Sequence, residues 1–266
     1  MQGKPRPALF RALGKNDPPN CVSLQDRDYS LAQVFKHDSW AATALYESDG
    51  RKIICKFNRK QSIFGLPMSW IGRFLASREA FFYSTLADLH SIPHGYGPVH
   101  VKGQIQRNSF AHDYIEGRPL LAADRLPESF FQELEEHLKQ MHECGVAYMD
   151  MHKRENIILG DDGRGYFVDF QVALYYCRDR WFSPGRYLFR FFKQADEYHL
   201  LKHRLANHPT PENAEALAKA RPFWIRVHRF FAVPLRTLRR RLLVLFGIRT
   251  GKGSVQTESF TEYGLR

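Results

Sequence analysis

The segment GVAYMDMHKRENIILGDDGRGYFVDFQVALY, residues 145–175, carries the clearest structural signal in this chain of 266 residues. Two short β-prone runs, 157–159 and 166–168, flank the sequence GDDG. Glycine and aspartate favour tight turns, so this pattern predicts a β-hairpin. The hairpin would bring Asn156 and Asp169 to the same end.

These hairpin ends suggest a site for a hard cation. An amide and a carboxylate both offer oxygen ligands, which magnesium prefers. Asp150 lies one loop upstream of Asn156 and could accept a proton from a hydroxyl group. The segment therefore indicates a metal-assisted site that acts on a hydroxyl.

Segment 145–175 resembles the catalytic centre of the protein-kinase-like superfamily. In that family a loop with Asp and Asn is followed by a hairpin and an Asp-Phe-Gly metal motif. Residues 153–156, Lys-Arg-Glu-Asn, are similar to the Lys-Pro-Glu-Asn end of that loop, and thirteen positions separate Asn156 from Asp169, as is usual there. The resemblance implies an α+β, two-lobed fold with a small β-rich N-lobe and a mostly helical C-lobe, ATP as phosphate donor, and Mg²⁺.

Three departures indicate an atypical branch of the family. Tyr148 stands where His is usual, the step from Asp150 to Asn156 is six positions instead of five, and Gln171 replaces the final Gly. The extra loop residue is Met151 or His152. The segment is thus more similar to the small bacterial lipopolysaccharide-core (Kdo/heptose) kinases, RIO-type kinases and aminoglycoside or choline phosphotransferases than to eukaryotic protein kinases.

The resemblance also implies roles for individual residues. Asn156 and Asp169 would hold magnesium, Asp150 would deprotonate the acceptor, and Lys153 would neutralise the transferring phosphoryl group. His152 is ambiguous, since a His two positions after the Asp also occurs in the aminoglycoside-type kinases and could brace the loop.

The N-terminal third contains a candidate phosphate-binding pair. Residues 51–57 read as a β-strand that resembles the family strand with the phosphate-binding Lys, here Lys56. Residues 73–83 read as a helix with Glu79 near its middle, the expected partner of Lys56. The alternative is an unrelated surface Lys and surface Glu.

Two further stretches relate to nucleotide binding. Residues 33–36 and 43–46 are predicted as the first two strands, and the loop 37–42 between them would cover the phosphates although it contains no glycine. Residues 110–120 are similar to the interlobe hinge of the family, so backbone groups of Asp113, Tyr114 and Ile115 would contact adenine. The alternative for this stretch is an ordinary strand and turn.

Helices are predicted for most of the second half. After Pro127, an apolar stripe at helical spacing consists of Phe130, Phe131, Leu134, Leu138 and Met141. A later helix contains Asp196, which either braces the catalytic loop, as the resemblance implies, or is a solvated helix residue.

The organisation follows from these assignments. We expect a loosely ordered segment at 1–25, an N-lobe at 26–112, a C-lobe at 113–206, and a basic helical extension at 207–266. Four scattered cysteines without a CxxC pair argue against a zinc site and a disulfide framework. With no apolar stretch typical of a leader or a membrane span, a cytoplasmic protein is expected, peripheral at the inner face of a membrane in one interpretation.

The basic charge concentrates near the C-terminal end. The formal net charge is +11, and residues 216–257 contain ten Lys or Arg and no Asp or Glu. Leucines and aromatic residues alternate with these arginines, which leaves three interpretations: packing against the C-lobe, contact with an anionic membrane surface, or contact with RNA. Leucine periodicity favours a bilayer or a protein groove over nucleic acid.

The acceptor stays open between several classes. The resemblance and the basic segment favour a sugar hydroxyl of the lipopolysaccharide core or another membrane glycolipid. A protein Ser/Thr hydroxyl comes second, and a small soluble molecule third. A different class is a nucleotide-binding pseudokinase that acts as a membrane or ribosome adaptor.

Overall fold

The structure is a computed structural model that describes residues 7–121, 124–177 and 184–220. Its architecture is mixed α+β: a curled antiparallel sheet that forms a half-barrel, followed by helices and small sheets. The predicted basic extension from residue 221 onward lies outside the described residues. Within them, no helix is both long and apolar enough to cross a bilayer.

The main sheet has eight strands in the order β5-β8-β4-β3-β2-β1-β6-β7. All of its neighbours pair antiparallel. Its strands are β1 Cys21–Leu24, β2 Arg27–His37, β3 Ala41–Ser48, β4 Arg51–Asn58, β5 Gly95–Gly97, β6 His100–Val101, β7 Gln104–Ile105 and β8 Ser109–Asp113. The stretches predicted as the first two strands thus lie within the second and third.

The central strands of this sheet are buried on both faces. Side chains alternate between the faces along β4, so Ile53, Cys55 and Phe57 enter one apolar core. On the opposite face, Ile54 packs with residues of β2 and β3 in a smaller cluster next to Tyr114. Lys56 shares the face of Ile54, which places its charged end on the side of the smaller cluster.

Helix α1, Ser69–Thr85, contains the predicted helix 73–83 and crosses this face of the sheet. It approaches the end of β4 closely, since a Cβ on Gly72 would lie 2.2 Å from the Arg59 carbonyl oxygen. Phe82 of α1 and Leu86, directly after the helix, enter the larger core, which continues into the second half of the chain.

The second half contains the predicted helix with its buried stripe. Helix α2, Glu128–Glu143, buries all five residues of that stripe, as predicted. It ends before Gly145, whose φ of +79° is a conformation that glycine adopts at little cost. Helices α3, Pro184–Asn207, and α4, Pro211–Ala220, follow.

The predicted hairpin is confirmed. Strands β11, Ile157–Gly160, and β12, Gly165–Phe167, pair antiparallel, and β9, Gly117–Pro119, adds a third strand. Gly117 allows this pairing, because a Cβ there would lie 2.2 Å from the Leu159 carbonyl oxygen. In a second small sheet, β10, Val146–Ala147, pairs antiparallel with β13, Leu174–Tyr175. This pairing joins the two ends of segment 145–175.

Residues 7–25, the described part of the predicted segment 1–25, differ from the expectation of loose order. Residues 8–10 form a 3₁₀ helix, Ala12 is fully buried, and β1 follows. The Arg59 side chain, itself buried, donates to the carbonyl oxygens of Leu9, Ser39 and Gln61. These contacts join distant parts of the chain, so local composition gave no sign of them.

Candidate active site

Three charged residues from distant parts of the chain meet on one face of the main sheet. Lys56 Nζ lies 2.7 Å from Asp169 Oδ1 and 3.3 Å from Glu79 Oε1. Lys56 is 8% exposed and Glu79 1% exposed, whereas the Asp169 side chain is 34% exposed. The Lys–Glu pair from the sequence analysis is therefore in contact, and Asp169 joins it at the more open side.

The charges of this trio shift one another's pKa. Burial lowers the pKa of Lys56, but Asp169 and Glu79 outweigh it and raise the pKa above its usual range. Burial raises the pKa of Glu79 to about 7, although Lys56 acts in the opposite direction. Partial desolvation would raise the pKa of Asp169, but the Lys56 ammonium holds it below its ordinary value. Near neutral pH, Lys56 and Asp169 are both charged.

Gln171 is a site residue whose role sequence reasoning missed. Its Nε2 donates to Asn58 Oδ1 at 2.6 Å and to Glu79 Oε2 at 3.3 Å. Arg78 of α1 donates to the backbone oxygens of Gln171 and Ala173. A glycine has no side chain to hold Glu79 in this way. Gln171 therefore supplies a contact between α1 and the segment after Asp169.

A second polar group surrounds Asp150, which is 4% exposed. Its Oδ2 accepts hydrogen bonds from Lys153 Nζ at 2.6 Å and from Asn156 Nδ2 at 2.9 Å. His152 Nδ1 lies 3.4 Å from its Oδ1. The structure thus brings together the loop residues that the sequence analysis assigned to the acceptor side.

Tyr148 connects this loop to the hairpin. Its hydroxyl donates to the Val168 carbonyl oxygen and lies 3.4 Å from the Asn156 carbonyl oxygen. The ring is fully buried against Phe167 and Phe170. Tyr148 therefore holds the backbone at Asn156, where the loop ends, next to the backbone at Val168, which precedes Asp169.

Asp196 of α3 is buried and binds the loop that carries Asp150. This agrees with the first of its two predicted roles, a brace of the loop, and not with a solvated helix residue. Its two oxygens accept hydrogen bonds from the Tyr148 amide at 2.7 Å and the Met149 amide at 2.8 Å, and His142 Nε2 lies 3.2 Å away. Met149 has a φ of +65°, a strained conformation for a residue with a side chain. Burial raises the pKa of Asp196, so these donors offset its desolvation.

The hinge residues are already engaged in the fold. The Asp113 amide donates to the His94 carbonyl oxygen at 2.9 Å, and the Tyr114 amide donates to the Lys52 carbonyl oxygen at 3.2 Å. Asp113 Oδ1 also accepts from the Tyr96 hydroxyl at 2.6 Å. Of the three predicted adenine contacts, Ile115 is the one whose amide has no backbone partner within the described residues.

The loop 37–42 is a tight turn organised by its own carboxylate. Asp38 Oδ1 accepts from the amides of Trp40 at 2.7 Å and Ala41 at 2.9 Å. The sequence predicts that this loop covers the phosphates, which would need free backbone amides in the loop. Because Asp38 occupies two of them and adds a negative charge, those amides do not form a phosphate cradle in this conformation.

The residues proposed for magnesium lie at one end of the hairpin. The Val168 amide donates to the Asn156 carbonyl oxygen at 3.1 Å, so Asp169 follows directly on the partner of Asn156. Asn156 uses its Nδ2 toward Asp150, which leaves its amide oxygen as a ligand, and Asp169 offers its second oxygen. Over the described ranges, no group of three His, Cys, Asp or Glu residues forms a metal cage. Two oxygen ligands fit Mg²⁺, which takes its other ligands from phosphates and water.

Comparison of the chain with protein-family models and with curated proteins gave no match. The arguments for function therefore rest on the geometry of the residues described above.

Proposed function

We propose that this protein is an ATP-dependent phosphotransferase with a two-lobed, protein-kinase-like fold. The observation that carries the proposal is the contact of Lys56 with both Glu79 and Asp169, which come from a strand, a helix and the end of a hairpin. A cation held between two carboxylates beside an acid–lysine–amide group is the kind of arrangement that protein kinases use for phosphoryl transfer. Structural ion pairs also form trios, but Asp169 remains 34% exposed and able to bind a ligand.

The nucleotide base would lie on the apolar side of Lys56. Ile54 shares the sheet face of Lys56 and packs with Phe35 and Leu45, next to Tyr114. This cluster offers an apolar surface two residues along β4 from Lys56, as an adenine ring requires. The Ile115 backbone would supply the hydrogen bonds to the adenine edge, and Lys56 would contact the α- and β-phosphates.

Asn156 and Asp169 would hold magnesium against the phosphates. When bound, the ion neutralises the negative charge that develops during transfer. Asp169 would exchange part of its contact with Lys56 for this ion, and the Lys56 ammonium would contact the phosphates. The backbone of Asp169 has a left-handed conformation, with a φ of +65°. This conformation changes the chain direction where the hairpin ends and so sets the direction of the carboxylate.

Asp150 would act on the acceptor. Its carboxylate orients the acceptor hydroxyl and takes its proton while the hydroxyl oxygen forms a bond to the γ-phosphorus. The bond from that phosphorus to the ADP oxygen breaks, and ADP leaves with the electron pair. Lys153, now 2.6 Å from Asp150, would face the transferring group and stabilise its charge.

A sugar hydroxyl of a membrane glycolipid, such as the lipopolysaccharide core, is the acceptor we favour. It would suit a cytoplasmic enzyme held at the inner face of a membrane by the basic residues 216–257, most of which lie outside the described residues. A protein Ser/Thr hydroxyl is the second candidate.

The test is incubation of the purified protein with magnesium and γ-labelled ATP in the presence of cell envelope, with lipid and protein then separated. We expect label in the glycolipid fraction, and label in protein alone would assign the second acceptor. Asp169→Asn is the matched inactive variant, and Asp161→Asn, an exposed residue of the hairpin turn, is the control. Phosphate transfer by Asp169→Asn at the wild-type rate would contradict the assignment of Asp169 as a magnesium ligand.

A second function is favoured by the loop 37–42. Because Asp38 already binds two loop amides, the nucleotide has less support here than in a glycine-rich cradle. A nucleotide-binding pseudokinase, acting as a membrane or ribosome adaptor, would show ATP binding without turnover under the same conditions. Measuring binding and transfer side by side separates the two functions.

A further inference from the structure

A cavity of about 320 Å³ opens away from the candidate active site, between the start of α1 and the turn before β8. Basic and polar side chains line it: Lys60, Ser69, Arg73, Gln106, Arg107 and Asn108. Arg73 lies six residues before Glu79, roughly 9 Å along the helix axis. The cavity is thus separate from the trio around Lys56.

Within the described residues, the cations of this cavity have no carboxylate partner. Lys60 Nζ binds the neutral Gln106 side chain at 2.7 Å. Among the residues that the structure describes, Arg73 and Arg107 form no ion pair with a carboxylate. Partial burial and the neighbouring Arg73 lower the pKa of Lys60. Three like charges around one opening repel one another, and an anion in the opening would relieve this repulsion.

The start of α1 adds to this positive potential. Helix α1 is 17 residues long, its N-cap Met68 has no capping side chain, and its first turn contains no acidic residue. The Met68 carbonyl oxygen accepts from the amides of Ile71 and Gly72. The preceding amides, of Ser69 and Trp70, remain at the positive end of the helix dipole, where anions bind.

Asn108 gives independent evidence for a ligand. It is 2% exposed, and its Nδ2 donates to the Asn58 carbonyl oxygen at 2.6 Å. Its Oδ1 is buried and has no hydrogen-bond partner within the described part of the chain. A buried acceptor without a donor is costly, so we expect a hydrogen-bond donor on the ligand. Hydrogen phosphate and phosphorylated polyols combine anionic oxygens with such a donor.

We propose that this cavity is a binding site for a phosphate group that carries, or lies beside, a hydroxyl. Arg73, Arg107 and Lys60 bind the anionic oxygens together with the first amides of α1, and Asn108 Oδ1 accepts from the hydroxyl. The site does not depend on the proposed phosphotransferase, because binding needs neither Asp150 nor Asp169.

Two sources supply such a group: a soluble phosphate compound and a phospholipid head group. Exposed apolar side chains flank the cavity in sequence, with Phe64 87%, Leu66 67%, Trp70 63% and Phe74 56% exposed. Side chains of this type enter the interface of a bilayer, so a lipid source would bury Trp70. Its fluorescence therefore distinguishes the two sources.

The test titrates the full chain with inorganic phosphate and with sulfate by calorimetry. It also uses vesicles of phosphatidylcholine with and without phosphatidic acid, and follows tryptophan fluorescence. The site variant combines Arg73→Gln and Arg107→Gln. The control combines Arg51→Gln and Lys102→Gln, which remove the same charge from exposed positions elsewhere. Trp70→Phe identifies the reporting tryptophan.

We expect phosphate to bind and the site variant to weaken it by about tenfold or more, with little change in the control. Sulfate, which carries no proton, should bind more weakly than phosphate. A blue shift that needs both phosphatidic acid and Trp70 assigns the lipid source, and its absence assigns the soluble one. The proposal is overturned if phosphate does not bind, if both charge variants weaken binding equally, or if sulfate binds as well as phosphate.

Discussion

Lys56 and Asp169 are 113 positions apart in the chain, yet the ammonium donates to the carboxylate at 2.7 Å. The contact closes the hairpin end onto the main sheet, and Glu79 shares the same cation. A network of this kind fixes the relative position of three elements, since each of its three partners is buried or half-buried.

Replacing Lys56 with Met should abolish the proposed transfer. The methionine keeps the side-chain length but removes the charge that contacts both carboxylates and, in the proposal, the phosphates. We expect the rate to fall by about 100-fold or more, measured as label transferred from ATP. Lys52→Met on the same strand is the control, because its pair with Glu116 lies at the surface and contributes about 1 kcal/mol or less. Equal losses in both variants would contradict the assignment.

Glu79→Gln should change how stability depends on pH. The folded pKa of Glu79, about 7, exceeds its ordinary value of 4.5, so the folded protein binds more protons than the unfolded chain between these values. The Glu79 contribution to the free energy of unfolding therefore falls as pH rises from about 4.5 to 7. The stability of wild type relative to Glu79→Gln should decrease over this window in urea titrations. A difference that stays constant with pH would show that folding does not raise the pKa of Glu79.

Histidines do not obscure this comparison. Burial lowers the pKa of His112, His199 and His203 to about 4, below the ordinary 6.5, so their contribution to stability rises with pH over much of the same window. Wild type and Glu79→Gln both contain these histidines. Subtracting the two titrations removes their effect to a first approximation.

Tyr148→Phe should lower both stability and transfer. The variant removes the hydroxyl that donates to the Val168 carbonyl oxygen next to Asp169. Tyr46→Phe is a matched control, since the buried Tyr46 donates to the Pro19 carbonyl oxygen at 2.6 Å, away from the site. We expect each variant to lose about 1 kcal/mol in unfolding experiments. Only Tyr148→Phe should also slow transfer, and an equal effect on transfer by Tyr46→Phe would make the role of Tyr148 purely structural.

Asp196→Asn should destabilise the loop that carries Asp150. The asparagine replaces an acceptor oxygen with a donor facing the amides of Tyr148 and Met149, so at least one amide loses its partner. We expect a loss of about 1–3 kcal/mol in the free energy of unfolding, together with lower transfer. Glu197→Gln is the control, because its pair with Lys193 at 3.8 Å is exposed. Wild-type stability of Asp196→Asn would show that the brace contributes nothing.

The sequence predicted those parts of the site whose signals are local. The hairpin follows from its turn residues, and α2 follows from its apolar period, so both are confirmed. The contact of Lys56 with Glu79 follows from the family resemblance. The roles of these residues in catalysis remain predictions.

The features that sequence analysis missed depend on long-range contacts. Residues 7–16 are held in place by two distant residues. Arg59 donates to the Leu9 carbonyl oxygen, and the Lys60 amide donates to the Ala12 carbonyl oxygen at 2.8 Å. The role of Gln171 depends on Asn58, 113 positions away. The role of Asp38 in its turn could have been predicted from the sequence, since an aspartate that accepts from amides two and three residues later is a common turn signal.

The buried guanidinium of Arg59 also has a consequence for work with shortened forms of the protein. Its three acceptors are neutral carbonyl oxygens, and one of them belongs to Leu9. Removing the first sixteen residues would leave this buried cation with two of its three acceptors, those of Ser39 and Gln61. A trimmed protein with no activity would then report a damaged scaffold, so any assay of catalysis should begin with the whole polypeptide.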